Sequence, residues 1–112
     1  KVIHRMKLWN VSFFAIKEGW KTIEMRLNDD KRSKIQTGDI IEFTNISTLE
    51  TMSCLVLNIF NYKTYKDLYL NHSKVSIGYK EDEIAKPEGM LVYYSVEEIN
   101  KYGVLGIEIK VL

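Results

Sequence analysis

Predicted strands fill most of the first half of this chain, predicted helices follow, and one strand closes it. Side chains alternate between apolar and polar, the period of a strand, in 2–9 and 21–27, and further strands are predicted over 40–44, 52–60 (long and mostly buried) and 104–111. Strands grouped early, helices inserted mostly late and a strand at the very end indicate an α+β domain and not alternating βαβ units. We therefore predict a small, mainly antiparallel β-barrel with helices on one side.

Capping residues mark the predicted helices. The first helix is predicted over 11–18, with Asn10 as its N-cap and Gly19 as its stop. Two later helices begin with the spacing of a capping box, a Ser or Thr followed three residues later by an acidic residue: Thr64 with Asp67, and Ser95 with Glu98. The remaining predictions are a loop or helical turn at 28–37, an irregular segment at 71–88 and a short helix at 88–93.

Length and composition limit what the chain can be. Its 112 residues, 46% hydrophobic and 28% charged, suffice for one domain, residues 1–112, with a core of its own. No stretch approaches the roughly 20 apolar residues of a membrane span, and no signal peptide is visible. We therefore expect one globular domain in the cytoplasm, without a membrane partner.

Cysteine and histidine are scarce, which bears on metal binding. Cys54, His4 and His72 are too few for a zinc site, so we predict no metal and no organic cofactor. Cys54 lies in an apolar run and is predicted to be a buried small hydrophobe. His4 lies on the apolar face of the first strand and is predicted to be a core or rim histidine whose ring is hydrogen-bonded.

Charge is distributed unevenly along the chain. Residues 1–34 hold nine Lys or Arg, Lys1 among them, against four acidic residues, a net +5; the remainder holds seven against eleven, a net −4. Such a division predicts a basic face able to attract phosphate, unless folding brings acidic residues from the second half next to the basic ones.

The strand at 21–27 carries the polar residues of greatest interest. Glu24 and Arg26 lie on one face, with roughly 7 Å between their Cα atoms. Together they suit a nucleobase edge or an amide, because the carboxylate accepts N–H groups while the guanidinium donates to a carbonyl or phosphate. The alternative is an exposed ion pair. Lys21 has the opposite parity to Glu24, so it reaches the same place only from the start of the strand or from a bulge.

Several segments together resemble the ASCH family. Gly19-Trp20-Lys21-Thr22-Ile23-Glu24-Met25-Arg26 is similar to the family signature G-x-K-x-x-E-x-R. Three further segments are similar in the correct order: His4-Arg5-Met6-Lys7-Leu8, Gly38-Asp39-Ile40-Ile41-Glu42-Phe43 and Tyr102-Gly103-Val104-Leu105-Gly106-Ile107. The resemblance covers nearly the whole chain and implies a PUA-like β-barrel with flanking helices.

This resemblance also implies a function. ASCH proteins are mostly described as RNA-binding or RNA-processing domains, so the expected partner is RNA or a small nucleoside or nucleotide. The signature implies a pocket in which Lys21, Glu24 and Arg26 face the ligand. Lys7, Trp20 and Arg32 are further candidate contacts, the basic ones with phosphate and Trp20 by stacking. Trp9 and the tyrosines Tyr79, Tyr93 and Tyr94 could stack on bases or simply fill the core.

One branch of the family consists of amidohydrolases that deacylate N4-acetylcytidine, which gives an alternative function. In an enzyme of that kind Lys21 and Glu24 would be the catalytic residues. The branch has a threonine, the presumed nucleophile, three residues after the lysine, and this chain has Glu24 there instead. A further glutamate of the branch has a possible counterpart in Glu97 or Glu98.

Overall fold

The computed structural model describes residues 2–112; Lys1, one of the basic residues counted above, lies outside the described part. No helix among the described residues is long and apolar enough to cross a membrane. The elements in chain order are β1 (Ile3–Leu8), α1 (Asn10–Lys17), β2 (Ile23–Leu27), a 3-10 turn (Arg32–Lys34), β3 (Ile40–Asn45), β4 (Thr51–Tyr62), α2 (Tyr65–Asn71), a 3-10 helix (Pro87–Val92), α3 (Val96–Tyr102) and β5 (Val104–Val111).

The strands form one sheet in the order β1-β3-β4-β5-β2, curled into a half-barrel. β1 pairs with β3 in parallel, and the other three pairings are antiparallel. The predicted α+β class and mainly antiparallel barrel are therefore confirmed. The sheet forms a half-barrel rather than a closed barrel. β1 and β2 are the two edges of the sheet, and the opening of the half-barrel lies between them.

Two apolar clusters hold this architecture together. The first fills the inside of the half-barrel, where Ile41, Phe43 and Ile107 pack against Phe13 and Ile16 of α1. The second lies on the other side of β2 and includes Leu68 of α2 and Met90 of the 3-10 helix, together with several tyrosines. Because both faces of β2 are covered, polar side chains on this strand are also removed from solvent.

The helix ends differ slightly from their predictions. α1 begins at Asn10 rather than after it; the Asn10 side-chain oxygen accepts from Asn45 Nδ2 at 2.9 Å and does not cap the helix. The helix predicted at 88–93 is a 3-10 helix over Pro87–Val92. The predicted capping box of Ser95 and Glu98 is confirmed with both reciprocal bonds, and the Thr64 side chain caps α2 by accepting from the Asp67 backbone N–H.

The predictions for Cys54 and His4 are also confirmed. Cys54 is fully buried, and burial raises the pKa of its thiol to about 12. The ring of His4 is partly buried and lies 2.8 Å from Asp39 Oδ2. Both residues therefore have structural roles in the strands that carry them.

Candidate ligand-binding site

β2 turns Glu24 and Arg26 toward the inside of the half-barrel. Opposite residues of an antiparallel pair share a face, and here Glu24 lies opposite Ile107 and Arg26 opposite Leu105, both buried in the first apolar cluster. Lys21 precedes the strand, which begins at Ile23. The direction of its side chain is therefore not set by the alternation of the strand. The side chain reaches Glu24 from the start of the strand, which is one of the two routes predicted from the sequence.

Glu24 is the centre of a compact charge cluster. Its Oε1 atom is 2.8 Å from Lys21 Nζ, and its Oε2 atom accepts from Arg26 Nε at 2.7 Å. Lys21 Nζ also donates to Ser12 Oγ at 3.2 Å. One carboxylate thus holds two cations, and the cluster carries a net positive charge.

Arg26 spans the opening of the half-barrel. Its Nη2 atom donates to the backbone carbonyl of Lys7 on β1 at 2.6 Å. Lys31, just beyond β2, donates in the same way to the carbonyl of Arg5 at 3.0 Å. These bonds occupy carbonyls at the free edge of β1, where an unpaired strand edge would otherwise be open to another chain.

Burial and charge act on the Glu24 carboxyl in opposite directions. Glu24 is only 4% exposed, which by itself would raise its pKa, but the charges and hydrogen bonds of Lys21 and Arg26 outweigh this and lower the pKa below its ordinary value. For Arg26, burial opposes and Glu24 favours the charged form, and the net effect raises its pKa. Glu24 and Arg26 are therefore not the exposed ion pair considered from the sequence.

Gly78 packs directly against Lys21. A Cβ atom at this glycine would lie 3.1 Å from Lys21 Cδ and 3.6 Å from Nζ, and its φ of +109° is one that other residues rarely adopt. The backbone carbonyl of Ser76 accepts from Thr22 and Ile23 at 2.9 Å, so the segment before Gly78 is fixed to the start of β2. The irregular segment thereby confines the lysine side chain, which is 7% exposed.

The charge cluster forms part of the lining of a cavity of about 440 Å³ at the opening of the half-barrel. Rings of Trp9, Tyr79, Tyr93 and Tyr94 form much of its wall, and Glu83 lies at its edge. Burial raises the pKa of Tyr94, so its hydroxyl is a hydrogen-bond donor at neutral pH. The cavity therefore combines flat aromatic surfaces with a charged floor.

The structure brings together only some of the candidate site residues. The cavity is lined by Lys7, Lys21, Glu24 and Arg26, together with residues that were not predicted, among them Ser12, Gly78 and Glu83. Two candidates lie elsewhere. Trp20 is half-buried and donates through Nε1 to Glu18 at 3.1 Å, and Arg32 pairs with Asp29 at 2.9 Å.

The glutamates Glu97 and Glu98 also lie away from the cavity. Both are exposed on α3, and Glu98 is engaged in the capping box with Ser95. Glu83 belongs to the irregular segment 71–88, where no periodicity could place it. A glutamate at the edge of the cavity is thus present, but at a position that the sequence pattern did not indicate.

The uneven charge along the chain is partly neutralised by folding. Arg5 pairs with Glu42, and Lys17 pairs with Glu50, so acidic residues that follow residue 34 lie beside basic residues that precede it. Within residues 2–112, no three His, Cys, Asp or Glu side chains lie close enough together to hold a metal ion. The positive charge of interest is therefore local, at the floor of the cavity.

Comparison with known families agrees with this geometry. The model of the ASCH domain family matches residues 6–112. The chain belongs to the ASCH family. This is a PUA-like family proposed for RNA binding, and the predicted family resemblance is confirmed. No curated protein matches the chain.

Solved structures of similar proteins share the fold of this ASCH domain. The crystal structure of hypothetical protein PH0355 is 29% identical with a TM-score of 0.84, covering 99% of this chain and 100% of that one. The solution structure of PF0455 from Pyrococcus furiosus is 27% identical with a TM-score of 0.75, covering 99% and 98%. A mutant of ZmASCH from Zymomonas mobilis is 12% identical with a TM-score of 0.62, covering 96% and 67%, and shows similarity of fold alone.

Proposed function

We propose that this ASCH domain binds RNA or a nucleotide in the cavity, with Lys21 and Arg26 donating to phosphate or carbonyl oxygens of the ligand. The observation that carries the proposal is the charge cluster, in which a buried cation, Lys21, and a partly buried one, Arg26, share one buried carboxylate. An excess charge removed from water is costly unless it is paired. An anionic group of a ligand would complete that pairing.

Donor groups remain available for such a ligand. Among the described residues, Arg26 Nη1 has no protein partner, while Nε and Nη2 donate to Glu24 and Lys7. Lys21 uses two of its protons on Glu24 and Ser12, which leaves the third for a ligand. Glu24 fixes both cations in place, and Lys7, exposed at the rim, is a further phosphate contact.

The cavity suits a nucleotide in size and in the composition of its walls. Its volume of about 440 Å³ lies within the roughly 300–1,000 Å³ of ligand sites in proteins. Aromatic rings stack on nucleobases with about 1–3 kcal/mol per base. Trp9, which is 60% exposed, and Tyr93 offer accessible ring surface at the cavity wall.

The test compares two lysines that differ in their position relative to the cavity. Lys21→Gln removes a cation of the cluster while Glu24 keeps Arg26 as its partner; Lys17→Gln removes an exposed cation that pairs with Glu50 on the surface. Binding of uridine 5′-monophosphate and of a short single-stranded RNA is measured by calorimetry. We expect Lys21→Gln to weaken binding about tenfold, equivalent to about 1.4 kcal/mol, and Lys17→Gln to change it less than about twofold.

Circular dichroism on both variants establishes that they are folded before the affinities are compared. Equal affinities of the two folded variants would place the ligand somewhere other than the charge cluster. Absence of binding by the unmodified protein would contradict the proposal as a whole.

A second candidate function is hydrolysis of an N4-acylated cytidine-type nucleoside, the alternative given by the amidohydrolase branch. One observation favours it: Ser12 places a hydroxyl 3.2 Å from Lys21 Nζ, inside the cavity. A serine there could attack the acyl carbonyl in the role that the branch gives to threonine. Against it, Lys21 Nζ is engaged with Glu24 Oε1 at 2.8 Å and donates to Ser12 Oγ, so it is not positioned as a free base to accept the hydroxyl proton.

Chromatography decides between the two functions. The protein is incubated with N4-acetylcytidine, and cytidine is quantified beside the Lys21→Ala and Ser12→Ala variants. Release of cytidine that both substitutions abolish would establish the enzyme. The binding proposal predicts no release above the uncatalysed rate.

A further inference from the structure

A groove that carries cations and amides lies across the end of β2, outside the cavity described above. It consists of two depressions, of about 720 and 380 Å³, whose linings share Asn28 and Asn61. Asn28 follows the last residue of β2, and Asn61 is near the end of β4. Because both linings include the same two asparagines, the two depressions adjoin over the ends of these strands, and together they are called the groove.

The charge of the groove differs from that of the cavity. Lys63, Lys101 and Arg32 line it, and among residues 2–112 no Asp or Glu lines either depression. Arg32 is anchored by Asp29, whereas no ion pair is formed by Lys63 or Lys101, both of which are exposed. Cations spaced along a groove without carboxylates are suited to a polyanion.

Amide side chains line the groove together with these cations. Asn28, Asn61 and Asn100 all line the groove, and Asn61 and Asn100 are exposed. Each amide can donate and accept at once, which matches the donor and acceptor edges of unpaired bases. The combination of cations and amides is therefore better suited to a single nucleic acid strand than to a simple anion.

The groove begins close to the charge cluster. Asn28 is two residues beyond Arg26, roughly 7 Å along an extended backbone. One strand of RNA could therefore pass from the cavity into the groove.

We propose that the groove holds the phosphodiester backbone of single-stranded RNA, one nucleotide of which occupies the cavity, with Lys63 and Lys101 contacting phosphates. This inference rests on the proposed function and makes it more specific, because it predicts that the ligand is an oligonucleotide. It also gives Arg32 a role as a phosphate contact in the groove, at a distance from the cavity.

The experiment measures binding of an oligoribonucleotide of about eight nucleotides and of uridine 5′-monophosphate to three forms of the protein. The groove variant carries Lys63→Glu and Lys101→Glu. The control variant carries Lys86→Glu and Lys110→Glu, two exposed lysines that line neither the groove nor the cavity. Both variants have the same net charge, so any difference between them reflects the position of the charges.

We expect the groove variant to lose at least about tenfold in oligonucleotide affinity relative to the control. Its plot of log affinity against log salt should be shallower by about 2, one for each lost phosphate contact. Affinity for the mononucleotide should be equal in the two variants, because it occupies the cavity alone.

Three results would overturn the inference. If the groove and control variants lose the same oligonucleotide affinity, the effect is one of net charge and the groove is not a binding surface. If the unmodified protein binds the oligonucleotide no more tightly than the mononucleotide, only the cavity binds, and the proposed function stands without the groove. If neither ligand binds, the proposed function fails together with the inference.

Discussion

Two buried carboxylates of this protein, Asp39 and Glu24, are used in different ways. Asp39 accepts from the backbone N–H groups of Gln36 at 3.0 Å and Val2 at 3.3 Å, and from the His4 ring at 2.8 Å. Glu24 accepts instead from two side-chain cations, Lys21 and Arg26. The first carboxylate connects pieces of backbone, and the second holds charges in place.

The surroundings of Asp39 and Glu24 also differ, one lying away from any depression and the other facing the cavity. Neither His4 nor Asp39 lines any of the three depressions described here, and the bonds of Asp39 join the starts of β1 and β3. The Glu24 cluster faces a cavity and keeps unused donors on Arg26 and Lys21. A buried polar group whose partners are mostly backbone supports the fold, whereas one that holds spare donors toward a cavity is suited to a ligand.

The largest effect is expected from Glu24→Gln. The substitution retains the shape of the side chain but leaves Lys21 and Arg26 buried beside each other without a counter-charge. Removing one partner of a buried ion pair costs about 3–5 kcal/mol, so the free energy of unfolding should fall by an amount in this range. Urea denaturation of the variant and the unmodified protein measures it. A loss below about 1 kcal/mol would mean that water already compensates the two cations.

The next largest effect is expected when each of two glycines with a positive φ is replaced by alanine. Gly78 has φ +109° and Gly38 has φ +92°, so alanine at either position is strained by about 1–2 kcal/mol. A Cβ at Gly38 meets nothing within 4 Å, whereas one at Gly78 meets Lys21 Cδ at 3.1 Å. Gly78→Ala should therefore destabilise the protein by about 1 kcal/mol more than Gly38→Ala.

Binding should distinguish the same two variants. Displacement of Lys21 by an alanine at 78 should weaken nucleotide binding several-fold, while Gly38→Ala, beside Asp39, should leave the affinity unchanged. Thermal denaturation and calorimetry provide the two measurements. Equal losses of stability and affinity in both variants would refute the packing of Lys21 against Gly78.

The smallest effect, and one that depends on pH, is expected from Asp39→Asn. Hydrogen bonds, above all that of His4, lower the pKa of Asp39 in the folded state. A carboxyl whose pKa is lower in the folded than in the unfolded state contributes stability above its unfolded pKa, about 3.9, and loses that contribution as the pH falls through its folded pKa. The unmodified protein should thus be more stable than Asp39→Asn at neutral pH, with the difference shrinking below about pH 4.

Urea denaturation at several pH values follows this difference, with Asp82→Asn, an exposed aspartate, as the control. The control should show no difference from the unmodified protein at any pH. A gap between Asp39→Asn and the unmodified protein that widens in acid would have the wrong sign for this account.

Most of the fold and half of the site could be predicted from the sequence, for physical reasons that differ between segments. The alternation in 21–27 places Glu24 and Arg26 on one face, because the period of a strand is local to the chain. Lys21 reaches them only because the strand begins at Ile23, a boundary that alternation does not define. The shared face of Glu24 and Arg26 was therefore predictable from the local repeat, whereas the position of Lys21 depended on a strand boundary that the repeat does not define.

The rest of the site comes from segments without a repeat. Gly78, Tyr79 and Glu83 belong to the irregular segment. Its position against Lys21 is fixed by long-range hydrogen bonds that the backbone N–H groups of Thr22 and Ile23 donate to the Ser76 carbonyl. Ser12 faces Lys21 because of how α1 packs, which its own sequence does not specify. Trp20 lies within the family signature, yet it follows the turn at Gly19 and bonds to Glu18, outside the cavity.

The most direct test of the central claim compares the partners of the two carboxylates. Arg26→Gln removes a cation of the Glu24 cluster, and His4→Gln removes the side-chain partner of Asp39. A short single-stranded RNA is titrated calorimetrically into both variants and the unmodified protein, after circular dichroism has established that all three are folded. We predict that Arg26→Gln weakens binding by at least about tenfold, or about 1.4 kcal/mol, and that His4→Gln changes it by less than about twofold. Equal affinities of the two variants would contradict the claim that the Glu24 cluster, and not the Asp39 cluster, is the ligand site.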